Sequence, residues 1–141
     1  RLEEAGVTVL RNDYATEKVG NSTVVIVGLD DGLAGRARFP ADLPDADCRI
    51  VLIHEPECRA AWDADLILCG HTHGGQVDLP LLGKPSAWFG YDPSAGLVEE
   101  GERTVYVSRG IGTTPFFGMG IRINCPPEIT VFRGQAPSRT Q

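Results

Sequence analysis

Gly70-His71-Thr72-His73 is the stretch whose residue types and spacing could do chemistry. Imidazole is a common metal ligand at neutral pH. Two histidines two residues apart, just past a strand end, can aim both rings at one small volume. The sequence holds one further histidine, His54. It too ends an apolar run, so all three sit where open α/β sheets bind ligands, at strand exits. The pattern predicts a metal site built from His54, His71 and His73. The competing reading makes His71 and His73 turn residues that hydrogen-bond a loop. Three neutral groups do not complete a shell for a phosphate-processing ion, so carboxylates and water are expected as well. The nearby acids are Glu55, Glu57 and Asp78, and they read as solvated loop charges in preference to ligands. Arg109, flanked by Ser108 and Gly110, either clamps a phosphate through paired hydrogen bonds or braces a glycine-rich loop.

These residues need elements to hold them. Leu66-Ile67-Leu68-Cys69 before the histidine pair reads as a buried strand over 65–69, and Ile50-Val51-Leu52-Ile53 before His54 as a strand over 49–53. Between them Cys58, Ala61 and Trp62 fall on one side of a short helix over 57–63. A strand, short crossover and strand favour two parallel neighbours, which places both histidine exits at one sheet edge. Upstream, Leu2-Glu3-Glu4-Ala5-Gly6 looks like a helix end with a glycine cap. Val7–Leu10 alternates like a strand, and Val19-Gly20-Asn21-Ser22 signals a turn between strand-like runs. Val24–Leu29 is apolar apart from Gly28 and reads as buried on both faces. Asn21-Ser22-Thr23 reads as turn chemistry, although it matches a glycosylation triplet. Arg36–Pro44 is irregular, and 80–96 and 109–120 are loops, the latter closed by Phe116-Phe117. Thr104–Ser108 reads as a strand. Glu128–Arg133 reads as a final one, with Ile129 and Val131 opposite Thr130 and Phe132. The fold class is α/β, layered.

Length and charge narrow the function. At 141 residues one domain or less is expected. The net charge of −6 comes with no basic run. Tracking a nucleic-acid backbone needs a positive groove, so nucleic acid is not an expected partner. No apolar stretch approaches the roughly 20 residues that span a bilayer. Cys48, Cys58, Cys69 and Cys125 lack C-x-x-C spacing and read as reduced structural thiols.

Ile53-His54-Glu55-Pro56 and Gly70-His71-Thr72-His73-Gly74-Gly75-Gln76 together resemble the C-terminal half of calcineurin-like metallophosphoesterases. The match extends to Tyr106-Val107-Ser108-Arg109-Gly110-Ile111-Gly112 and Asn124-Cys125-Pro126-Pro127-Glu128-Ile129. The blocks look like the bacterial and archaeal branch of envelope and lipid-precursor phosphoesterases. The resemblance implies part of a four-layer α/β/β/α sandwich, with residues 1–133 as the C-terminal portion of one domain and 134–141 as a flexible tail. It implies two divalent metal ions, with Mn, Fe or Zn best suited to imidazole. His54 and His71 would hold one ion and His73 the other. The implied reaction is hydrolysis of a phosphomonoester, phosphodiester or pyrophosphate, with a phosphate-ester small molecule or lipid precursor as substrate and Arg109 as a substrate contact. The family's upstream D-x-H, G-D-x-x-D and G-N-H motifs do not occur in this sequence. The chain is therefore expected to need the missing N-terminal half of its domain, and to be inactive alone. Asp78 stands where this branch commonly carries a basic residue, so substrate preference is expected to differ. The resemblance leaves a cytoplasmic and an envelope location both open. The alternative is a non-catalytic scaffold of the same fold that binds metal or a partner.

Overall fold

Alternation decides which side of each strand is buried. In the computed structural model, which describes residues 1–88, 90, 95–115 and 119–134, six strands form one sheet ordered β1-β2-β3-β4-β6-β5. β1 (Asp13–Val19) and β2 (Ser22–Gly28) are an antiparallel hairpin joined at Gly20-Asn21, as the turn signal predicts. β3 (Cys48–Leu52), β4 (Leu66–Cys69) and β6 (Arg103–Val107) continue the sheet in parallel, each hydrogen-bonded to its neighbour in that order. β5 (Gly96–Glu100) closes the far edge as an antiparallel partner of β6. The parallel pairing of β3 and β4 is the arrangement expected from their short crossover.

One row of side chains carries the core. Val27 stands opposite Val51, Val51 opposite Ile67, and Ile67 opposite Val105, and all four are fully buried. Each such side chain contributes about 1.5–3 kcal/mol relative to an exposed position. Phe39, Leu43, Trp62 and Ala64 pack against this face, and the Phe39 and Trp62 rings stack with centroids 5.7 Å apart. The irregular 36–44 segment is thus the cover of the core.

Four expectations need correction. Val24–Leu29 is not buried on both faces: Val25 and Val27 are fully buried, but Val24 and Ile26 on the opposite face are only half-buried. Val7–Leu10 forms no ladder. It runs against the end of β2, where a side chain at Gly28 would collide with the main chain of Leu10. The helix over 57–63 is a 3-10 helix, Pro56–Ala61, begun by the proline at its first position. Glu128–Arg133 joins no strand ladder, although the Glu128 N–H donates to the Gly110 carbonyl at 3.0 Å. It lies over the half-buried face, where the Phe132 ring meets the Tyr106 ring edge-on at 5.0 Å. Ile129 and Val131 are 84% and 85% exposed, against a half-buried Thr130 and a Phe132 at 45%.

Other readings stand with small shifts. Glu3–Ala5 is a 3-10 turn, and Gly6 caps it at φ 80° by donating to the Glu3 carbonyl. The 80–96 loop contains one α-helical turn, α1 (Pro85–Trp88), and the first residue of β5. Phe116-Phe117 and, apart from Gly134, the tail over 134–141 lie outside the described residues. Among the described residues no helix is long and apolar enough to cross a membrane.

Candidate metal centre

The β3–β4 ladder does not stop at the strand ends. The Ile53 N–H donates to the Leu68 carbonyl at 3.1 Å, and the Gly70 N–H donates to the His54 carbonyl at 3.0 Å. These bonds set the two strand exits side by side and bring His54 and His71 together. Their rings meet edge-on with centroids 5.1 Å apart. Both side chains are exposed at the carboxyl edge of the sheet.

Glu55 completes this group. One ligating atom from each of His54, Glu55 and His71 lies within 4.8 Å of the others. Glu55 is 4% exposed, so it is not the solvated loop charge that one reading of the sequence made it. Its Oε2 accepts from the Gly32 N–H at 3.0 Å, which ties the loop after β2 to the site. Two imidazoles and a carboxylate are a donor set suited to Mn, Fe or Zn. Glu57 is exposed and stands outside the group. Asp78 is half-buried, and its main chain is held by the Ile123 carbonyl and the Asn124 side-chain amide.

The histidine loop is wound tightly. His71, His73 and Gln76 have φ of 66°, 51° and 56°, and Gly74 and Gly75 are positive as well. Non-glycine residues rarely adopt such angles, at a cost of order 1–3 kcal/mol each, and such strain clusters at functional sites. Thr72 caps the turn by accepting from the Gly74 N–H. The same winding separates His73 from its neighbour. His73 is half-buried, with Nδ1 3.3 Å from the Gln76 Oε1 and Cε1 beside Gly112, and it does not join the His54–Glu55–His71 group.

Arg109 has a bracing partner. Its Nε donates to the Glu128 Oε2 at 2.7 Å, and one terminal nitrogen pairs with the same oxygen at 2.6 Å. Its stem lies on Gly74, where an added Cβ would approach the Arg109 Cγ to 2.5 Å. Glu128 also accepts from the Tyr106 hydroxyl at 2.6 Å. That bond first, with Arg109 and Thr130 adding to it, holds the Glu128 carboxyl well down, at about 2.

Two further residues join the loops around the site, and sequence reading gave neither a role. Arg122 donates to the carbonyls of His73, Arg109, Gly110, Gly112 and Cys125. Gln76 exchanges two hydrogen bonds with the backbone of Thr114. Gln76 stood inside the quoted motif, a signal that it is special though not of what it does. Arg122 lay in a loop with no local pattern to mark it.

A mixed sheet whose inner strands run parallel, and which presents two imidazoles and a carboxylate at the carboxyl ends of β3 and β4, defines an α/β protein with a candidate metal centre. The sequence is similar to the phosphodiesterase YaeI of Escherichia coli (strain K12), 40% identical over 140 residues, covering 92% of this chain and 48% of that protein. It is 36% identical to the metallophosphoesterase YkuE of Bacillus subtilis (strain 168), covering 93% of this chain and 48% of that one. It is 38% identical over 112 residues to the metallophosphoesterase Cj0846 of Campylobacter jejuni, covering 75% of this chain and 28% of the relative. The chain belongs to the metallophosphoesterase family. It spans about half the length of the first two relatives. No family model matches the sequence, and no solved structure matches it.

Proposed function

We propose that the full protein hydrolyses phosphate esters at a dinuclear metal centre, with His54 and His71 on one ion and His73 on the other. The observation that carries this reading is the convergence of His54, Glu55 and His71 at adjacent strand exits. Family membership supports the hydrolase class, and the relative named a phosphodiesterase makes a phosphodiester the first substrate to try. When bound, the cations supply Lewis-acid charge to the phosphoryl group and acidify water.

The chain's own residues do the rest. His54 and His71, exposed at the open edge, leave room for a substrate to approach. Glu55, anchored on Gly32, adds negative charge that raises cation affinity. Arg109 is the proposed contact for a phosphoryl oxygen, made by the terminal nitrogen outside its pair with Glu128. The half-buried face of the sheet, with Ile26, Ile50, Leu66 and Leu68, supports a second sheet packed there, as a four-layer α/β/β/α sandwich requires. Ligands absent from this sequence would come from that half, so the chain alone is proposed to bind metal weakly and lack turnover.

The test is direct. His71→Ala and His73→Ala in the full protein should each remove most activity against a chromogenic phosphodiester. Near wild-type rates in both would overturn the ligand assignment. Arg109→Lys should raise the inhibition constant of inorganic phosphate severalfold, because one ammonium cannot hold Glu128 and reach a phosphoryl oxygen at the same time. An unchanged constant leaves Arg109 as a brace alone.

A further inference from the structure

Gln76 is buried beneath the histidine loop at 9% exposure, and both ends of its amide are committed. Its Oε1 accepts from the Thr114 N–H at 2.7 Å, and its Nε2 donates to the Thr114 carbonyl at 2.7 Å. A backbone N–H can only donate and a backbone carbonyl can only accept. Turning the amide over would therefore set donor against donor and acceptor against acceptor. The Thr114 backbone thus settles which end of the amide is oxygen, a choice that is otherwise ambiguous for glutamine.

That choice propagates to His73. The oxygen so oriented is the atom 3.3 Å from His73 Nδ1. It can accept a hydrogen bond but not donate one, so Nδ1 must carry the proton. A neutral imidazole has one ring proton, which leaves Nε2 with its lone pair. The Gln76 N–H also donates to the His73 carbonyl at 3.1 Å, and both residues hold positive φ, so the geometry between them is closed at backbone and side chain together.

We infer that Gln76 is a positioning residue for His73: clamped by the Thr114 backbone, it holds the ring in the Nδ1–H tautomer and offers Nε2 as the ligating atom. A hydrogen bond to the non-ligating nitrogen sets orientation and raises basicity in metal-binding histidines generally. The part of the inference that concerns ligation rests on the reading of His73 given above. The tautomer does not, and it can be measured with no metal present.

The experiment is long-range proton–nitrogen NMR on the full protein with labelled histidine, stripped of metal, at a pH where the ring is neutral. His73 is assigned by its loss in His73→Ala. The expected spectrum has a protonated Nδ1 and a bare Nε2. Gln76→Met fills the space without an acceptor and should shift the ring toward Nε2–H. Zn²⁺ affinity should fall about 10–100-fold in Gln76→Met. An Nε2–H ring in the unmodified protein overturns the inference, even if Gln76→Met does not fold. So does an unchanged Nδ1–H ring in a folded Gln76→Met. A tautomer that behaves as expected, with Zn²⁺ affinity untouched by His73→Ala, supports the role of Gln76 and overturns the ligand reading instead.

Discussion

At the scale of single residues, burial and partners decide which groups titrate. Glu128 has the Tyr106 hydroxyl, the Arg109 guanidinium and the Thr130 hydroxyl on its carboxylate, which brings it from an ordinary 4.5 to about 2. Its proton therefore binds the unfolded chain first as pH falls. The stability it supplies is whole above about pH 4.5 and is lost as pH drops toward 2. Tyr106→Phe should cost about 1.5–3 kcal/mol above pH 5, the range for hydrogen bonds to charged groups. The difference from wild type should shrink by pH 3 in urea melts run at each pH. A gap that stays constant with pH would refute the pairing. Cys69 shows the opposite effect. Burial pushes its thiol up to about 11, so it carries almost no thiolate at neutral pH. It should resist iodoacetamide at pH 8 in the folded protein and react once urea exposes it, as read by mass spectrometry. Rapid native labelling would contradict the packing of β4.

At the scale of elements, the loops matter more than the strands, because they hold the histidines. Arg122 is the hub: one guanidinium satisfies carbonyls in the histidine loop, the 109–112 loop and the 125 turn. Arg122→Leu leaves those carbonyls without their donor and should cost about 3 kcal/mol or more in urea unfolding. Arg122→Lys should recover less than half of that, since an ammonium cannot present two nitrogens in a plane. A loss below about 1 kcal/mol would show the hub to be incidental. This hub was invisible in the sequence, because its partners are backbone atoms up to 49 residues away. The apolar runs behind β2, β3, β4 and β6 were legible, as were the turn before β2 and the shared edge of His54 and His71. Those follow from local alternation and a short crossover. The strands misread at Val7–Leu10 and Glu128–Arg133 also alternate, but a strand exists only where a partner ladder does. β5 lacks a strong pattern and is defined by its pairing with β6. Glu55 was visible as a candidate while its burial was not, since that depends on Gly32 arriving from another loop.

At the scale of the molecule, the His54–Glu55–His71 group joins the exits of the two central strands of a six-stranded sheet. An ion held there grips β3 and β4 only in the folded state, so it must stabilise the whole cooperative unit. The gain is RT ln(1 + [L]/Kd), about 2.7 kcal/mol at a hundredfold excess over Kd. A net charge of −6 raises a rival explanation, because any divalent cation relieves self-repulsion. Ligand chemistry separates the two. Imidazoles favour Mn²⁺ and Zn²⁺ over Ca²⁺, which prefers an all-oxygen shell. In the full protein, Mn²⁺ or Zn²⁺ should raise Tm by several degrees, and a chelator should reverse the shift. Ca²⁺ at equal concentration should do much less. His54→Ala and His71→Ala should each abolish most of the Zn²⁺ shift while leaving the small Ca²⁺ response in place. Equal shifts with Ca²⁺ and Zn²⁺, unchanged in both variants, would reduce the effect to bulk charge and remove the paired imidazoles as a metal centre.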